Sequence, residues 1–524
     1  MIAVRRLYLY LVAFVGLHVA AWGAAELGRA LVDALYPLGA VGGAGLRRSV
    51  ALNAAWLLVG VPVWLLHWGL AARTSRRDPR ERAATLRRLY LYAVMAVAIV
   101  AIAASGQNAL EAALRALLDE SRGAVVNTGR QIASQLPWLV VGAILWLYHR
   151  GVAASDRVAV GEAGGGATLR RWYVYGVAFV ALMYLLRDAT RVARLAWETL
   201  ASAATGTLVT ATPFGFAGAA ATTLLALPIW LTHRRLVAAG PPRDALEAQD
   251  VRSTLRPVYL FLALAVAVER TLEGAWQLLY YTLGRVLGVE RPGGVGGNLL
   301  VAMGAPATLA LVYGAAWLFQ RHEIARQRAA QDALPGQVAV RRLYVYLVAL
   351  LALAVLAAGA GGLLWTLADL ATAAPRAVGS PDWWREQTSL YVSLLLVGLP
   401  VWARHWGPVA ARHEEVGSLA RRIYLYVALG AAVLALLGAG VAAARELLLL
   451  VLGESATAGA ITNLARALAV AAVSGLVIFY HQRVLRRDVG QAQRRAAPPV
   501  PTNAPTPFGW RNRDAVSQPP LARS

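Results

Sequence analysis

Arg5-Arg6-Leu7-Tyr8-Leu9-Tyr10 opens an apolar run, and the pattern returns as Arg87-Arg88-Leu89-Tyr90-Leu91-Tyr92 and Arg170-Arg171-Trp172-Tyr173-Val174-Tyr175. A degraded copy follows as Leu255-Arg256-Pro257-Val258-Tyr259-Leu260-Phe261. Arg341-Arg342-Leu343-Tyr344-Val345-Tyr346 and Arg421-Arg422-Ile423-Tyr424-Leu425-Tyr426 complete the set. The first tyrosines are 82, 83, 86, 85 and 80 residues apart. Self-similarity at a near-constant period is the signature of a repeat architecture.

The chain of 524 residues is 58% hydrophobic and 15% charged, against about a quarter charged in soluble domains. Runs such as Leu7–Ala25, Leu89–Leu110, Leu343–Ala368 and Ile423–Ala444 carry no charge. Two more apolar stretches are Thr199–Thr232 and Pro292–Gln320. A helix needs roughly 20 apolar residues to cross a bilayer. The class expected is therefore an all-α polytopic membrane protein. Cysteine is absent, which excludes disulfides and thiolate metal sites. The first apolar run is too long for a signal-peptide core of ~7–15 residues, and the pattern recurs internally. It reads as the first transmembrane helix.

Each repeat holds a second apolar segment that ends in Trp-x-x-His: Trp64/His67, Trp146/His149, Trp230/His233 and Trp402/His405. The fourth repeat has Trp317/Gln320, and the sixth has Ile478/His481. From first tyrosine to this position the spans are 59, 59, 60, 61, 61 and 57 residues, room for two helices and a turn. The sequence thus predicts about twelve transmembrane helices in six hairpins, over residues 1–82, 83–165, 166–250, 251–335, 336–416 and 417–488. A Pro-rich basic tail, expected to be disordered, occupies 489–524. Pro62, Pro228 and Pro400 each stand five residues before the histidine, in odd repeats only. That suggests a larger unit of two repeats, and the prolines could kink their helices.

All 51 basic residues are arginine. The segments between hairpins plus both ends carry 35 of them against 13 acids, and the turns inside hairpins carry 16 against 15. By the positive-inside rule the first side is cytoplasmic, with both termini inside. The net charge of +23 is then topological and calls for no nucleic acid. A basic face of this kind suits anionic lipid headgroups.

The Arg-Arg-x-Tyr-x-Tyr and Pro-Val-Trp-x-x-His-Trp motifs resemble those of a bacterial membrane family known as domain of unknown function 5671. The resemblance covers residues 1–488, weakest in the fourth repeat. It implies a multi-pass protein of a bacterial inner membrane and transfers no activity.

Two groups of residues could carry chemistry. The first is the interfacial repeat set: Tyr8, Tyr10, His67, His149, His233, Gln320, His405 and His481. Histidines at one depth could ligate haem or a metal. They could equally form an interfacial belt, each bonded to a tyrosine of its own repeat, such as Tyr8 or Tyr10 with His67. Gln320 keeps the hydrogen bond and loses metal affinity, which favours the belt. One tyrosine of each pair would face lipid headgroups and the other inward. The arginine pairs read as topology anchors.

The second group is intramembrane: His18, Arg187, Asp188, Arg191, Glu269, Arg270 and Glu273. His18 and Glu269 lie ten residues past the first tyrosine of their repeats, about 15 Å in at 1.5 Å per residue. A carboxylate there costs ~3 kcal/mol or more unless paired or wetted. Arg187 or Arg191 could pair with Glu269 or Glu273 across packed helices, or these groups could line a water-filled cavity.

No zinc-protease, phosphate-loop or serine-hydrolase motif is present, and no cofactor is expected. The reading is a non-catalytic membrane scaffold or sensor-like partner of envelope components. The alternative is a transporter or channel for an ion or small anionic solute.

Overall fold

In hydrocarbon every backbone N–H and C=O must be satisfied within its own segment, so long apolar runs become helices. The computed structural model describes residues 2–36, 43–118, 125–206, 213–235, 250, 252–294, 298–330, 335–372, 383–412, 415–452 and 458–496. Among these residues there is no strand. Twelve long helices carry the fold: α1 Ile2–Leu35, α2 Gly43–Arg77, α3 Thr85–Leu118, α4 Val125–Val160, α5 Gly164–Thr205 and α6 Pro213–Arg234. They continue as α7 Leu255–Val286, α8 Gly304–Ala330, α9 Pro335–Ala371, α10 Trp383–Ala410, α11 Leu419–Val451 and α12 Ala458–Ala496.

Ten of these helices are long and apolar enough to cross a membrane, as expected of a multi-pass membrane protein. The other two are α7, with Glu269, Arg270 and Glu273 at its middle, and α10, with Pro400 and Pro408 inside it. Both lie along a partner helix of the apolar set. Two apolar stretches of the sequence are not single segments. Thr199–Thr232 is split between α5 and α6, and Pro292–Gln320 contains a separate turn, Leu299–Ala302, before α8. Helix α12 also runs eight residues past the expected boundary at 488. Residues 497–524 of the expected tail lie outside the described residues.

Helices pair as hairpins: α1 with α2, α3 with α4, α5 with α6, α7 with α8, α9 with α10 and α11 with α12. The hairpins then stack in file. The first helix of each packs on both helices of the next, so α1 touches α3 and α4, and α3 touches α5 and α6. The rule continues through α5 on α7 and α8, α7 on α9 and α10, and α9 on α11 and α12. Among the described residues the first and last hairpins share no packed helix pair. The architecture is an open, two-layered solenoid in which each unit meets only its neighbours. One buried core runs through hairpins 1 to 4 and a second occupies hairpins 5 and 6.

Association inside a membrane relies on close backbone approach at small residues. At Gly60 of α2 an added Cβ would stand 2.6 Å from the Ala20 nitrogen of α1, and at Gly274 of α7 it would stand 2.6 Å from the Pro306 carbonyl of α8. Gly69, further along α2, faces open space. Gly60→Val is expected to lower stability by about 1–3 kcal/mol through overpacking, while Gly69→Val leaves it near wild type. Thermal unfolding of the two variants in detergent checks this.

Candidate functional site

The motif end of the helices gathers the recurrent Trp, Tyr and His. Residues i and i+2 on a helix are ~200° apart, from 3.6 residues per turn. Each Tyr-x-Tyr therefore sends one ring to the hairpin before it and the other to the hairpin after it. The second ring packs on the first ring of the next copy at all five junctions: Tyr10 on Tyr90, Tyr92 on Tyr173, Tyr175 on Tyr259, Phe261 on Tyr344 and Tyr346 on Tyr424. Centroid separations run from 5.2 to 6.0 Å. This corrects the expectation that one tyrosine of each pair faces lipid. In the interior copies both rings are sandwiched between neighbours. The exposed tyrosines are the outermost at either end of the file, Tyr8 at 56% and Tyr426 at 61%.

A directional hydrogen-bond relay crosses the same junctions. The first tyrosine meets the histidine of its own repeat: Tyr8 with His67 Nε2 at 3.2 Å, Tyr90 with His149 at 3.3 Å, Tyr173 with His233 at 3.2 Å and Tyr424 with His481 at 3.1 Å. The hydroxyl of this tyrosine accepts from the tryptophan of the preceding repeat. Trp64 Nε1 donates to Tyr90 at 3.2 Å, Trp146 to Tyr173 at 2.8 Å, Trp230 to Tyr259 at 3.2 Å and Trp402 to Tyr424 at 3.0 Å. Each histidine Nδ1 lies 2.7–2.9 Å from the carbonyl four residues back. A carbonyl only accepts, so Nδ1 carries the proton and Nε2 is the acceptor for the tyrosine O–H. The relay thus reads tryptophan N–H to tyrosine, tyrosine O–H to histidine, histidine N–H to carbonyl, with every donor used. The expected hydrogen bond between the histidine and a tyrosine of its own repeat is made in these four, and Tyr8 rather than Tyr10 is the partner of His67.

In the fourth repeat Gln320 takes the histidine's place beside Tyr259, with its Oε1 buried and unpartnered among the described residues. The relay then stops. Among the described residues no hydrogen bond joins Trp317 to Tyr344 or Tyr344 to His405. The Tyr344 and His405 rings are 6.4 Å apart, against 5.5–5.6 Å in the bonded pairs. The proposed two-repeat unit has a counterpart here. Trp68 donates to Tyr148 and Trp406 to Tyr480, each at 2.7 Å, and the Arg234 guanidinium covers Phe319 in the corresponding position. These links tie hairpins 1 to 2, 3 to 4 and 5 to 6.

The arginine pairs are not simple headgroup anchors. Arg87, Arg88, Arg170, Arg256 and Arg421 are buried. Arg87 meets Asp156 at 2.7 Å, and Arg421 meets Asp488 at 2.6 and 2.9 Å. Arg170 contacts Glu162 at 2.7 Å and also Asp250, which Arg171 reaches at 2.8 Å. Glu81 takes Arg5 and Arg6, and Glu415 takes Arg342. Sequence reasoning missed these acids. The available signal was that each basic segment between hairpins contains at least one.

The intramembrane group divides into three. His18 Nδ1 bonds the Phe14 carbonyl at 2.7 Å, and its Nε2 is buried without a partner among the described residues. Asp188 is 0% exposed and holds Arg187 at 2.6 Å and Arg191 at 3.0 Å. Arg270 holds Glu269 at 3.2 Å and Glu273 at 2.7 Å. The expected pairing across helices is not made, because each cluster is satisfied within its own helix by neighbours one to four residues away. Both clusters lie within electrostatic reach of buried Tyr313 on α8, which packs on α5 and on α7. Sequence reasoning also missed ion pairs at the turn end, Arg130–Asp33 at 2.6 Å and Arg466–Asp369 at 2.5 Å. Asp33 and Asp369 are each 25 residues past the first tyrosine of their repeats, and that recurrence was the readable signal.

Tyr90→Phe strands the Trp64 N–H and His149 Nε2 in a buried junction and is expected to cost about 1–3 kcal/mol. Tyr8→Phe, at the exposed edge, should change little. Asp156→Asn leaves Arg87 buried without its counter-charge, at a cost of about 3–5 kcal/mol. Unfolding midpoints of the three variants, measured side by side, test this ordering.

The model of a domain of unknown function, DUF5671, matches residues 6–128, 120–212 and 342–476. No curated protein and no solved structure matches the chain. The three matches fall on hairpins 1, 2, 3, 5 and 6 and cover more than half of the chain, which belongs to the DUF5671 family.

Proposed function

We propose that this protein is a non-catalytic scaffold of a bacterial inner membrane, with both termini cytoplasmic and its arginine-rich motif end against anionic headgroups. The observation that carries the reading is the relay. The tryptophan, tyrosine and histidine side chains at the junctions of hairpins 1 with 2, 2 with 3 and 5 with 6 are spent on one another. A catalytic constellation would instead hold donors and acceptors open toward a substrate. The orientation rests on the arginine bias of the segments between hairpins. A rigid file of hairpins gives partner proteins of the envelope two long flanks and two aromatic ends on which to dock.

One observation favours transport as a second reading. Glu269 and Arg270 are about half exposed near the depth of the bilayer centre, and Arg187 and Arg191 are about half exposed toward its outer side; intramembrane ionisable groups commonly mark solute paths. The chain has no cysteine, so single cysteines report cleanly. His18→Cys and Glu269→Cys are expected to resist a membrane-impermeant thiol reagent in intact cells and in inverted vesicles. Arg47→Cys at a turn should react from one side. Reaction at 18 or 269 in folded protein would replace the scaffold with an aqueous pathway.

A further inference from the structure

The relay fails at the junction of hairpins 4 and 5, and a cleft of about 770 Å³ opens there. That volume is in the range of small-molecule sites, ~300–1,000 Å³. The mouth, at the motif end, is set by Arg321, Arg341, Arg404 and His405. All three arginines are exposed. Among the described residues none of the three pairs with a carboxylate. This separates them from Arg87, Arg170 and Arg421, whose charges are compensated by Asp156, Glu162 and Asp488. Beyond the mouth the walls turn apolar, through Phe261, Leu264, Val268 and Leu272. Leu272 is thirteen residues past Tyr259, about 20 Å along α7 at 1.5 Å per residue. The cleft also lies where the two buried cores of the protein part.

We propose that this cleft is a binding site for one anionic phospholipid. Its phosphate is held by the three guanidiniums, which suit phosphate oxygens, and an acyl chain fills the space between α7 and α10. The charge of the mouth selects an anionic headgroup over a zwitterionic one, and the length of the apolar wall selects a lipid over a soluble anion. The lipid takes the place of the Trp-Tyr-His relay at the motif end of hairpins 4 and 5, which are joined further along by Tyr280 donating to Glu386 at 2.8 Å. The proposal does not depend on whether the protein is a scaffold or a transporter.

The test is native mass spectrometry of the full-length protein in detergent with added palmitoyl-oleoyl phosphatidylglycerol, the matching phosphatidylcholine, or glycerol phosphate. Wild-type protein should retain phosphatidylglycerol at least tenfold better than the other two. The combined variant Arg321→Gln, Arg341→Gln, Arg404→Gln should lose that preference while keeping its lipid-free unfolding temperature. Val268→Trp, which fills the apolar end and leaves every arginine in place, should lose it as well. Equal retention of the two lipids by wild type would overturn the proposal. So would undiminished phosphatidylglycerol retention by either variant, or equally strong retention of glycerol phosphate, which would make the mouth a site for soluble phosphate. Should the arginine variant fail to fold, Val268→Trp alone decides.

Discussion

A hydroxyl buried between helices in an apolar surrounding has to find its partners there, because no water competes and an unmet group costs about 1–3 kcal/mol. At Tyr90, Tyr173 and Tyr424 the first tyrosine of the motif meets that constraint at the point where two hairpins join. It accepts from a tryptophan of one hairpin and donates to a histidine of the other, so neither unit satisfies its polar groups alone. Aromatic packing on the opposite side of the same helix adds the next link. One side-chain pair spaced by two residues thus couples each hairpin to both neighbours.

The open file follows from that coupling. Every junction uses the same two faces of the first helix, and the operation that relates one hairpin to the next is repeated rather than closed on itself. The ends consequently display what the interior hides, Tyr8 on one side and Tyr426 on the other. The additional bonds of Trp68 and Trp406 group the hairpins in twos. The junction between hairpins 4 and 5 lies between such groups, at the repeat that lacks the histidine. Hydrophobic contact alone joins two helices weakly in lipid, since the tails are as apolar as the side chains. Where the relay lapses, Phe261 on Tyr344 and Tyr280 with Glu386 still join hairpins 4 and 5.

Charge is managed by the same economy. The arginine excess reads from sequence as a topological signal, and by count it is one. Yet Arg87, Arg170 and Arg421 are folded inward against Asp156, Glu162 and Asp488. A guanidinium removed from water needs a carboxylate or carbonyl within hydrogen-bond reach, and acids in the last turns of the second helix or just beyond it supply it. Arg88, which donates to the Ala153 and Gly161 carbonyls, shows the carbonyl version of this solution.

The sequence by itself determined the hairpin count, the helical class and the depth at which histidines and tyrosines meet. Apolar run length and repeat spacing are local properties, and hydrocarbon leaves a spanning chain little choice but helix. It also determined that His67 would meet a tyrosine of its own repeat, since antiparallel helices bring the end of the second beside the start of the first. Only the tertiary structure decided where the tyrosines point. The ~200° between i and i+2 is written in the sequence, but which surface covers each side depends on how hairpins stack. It likewise decided that Arg187 and Glu269 remain in separate clusters. Each finds counter-charge within a turn of its own helix, and Tyr313 of α8 lies near both clusters.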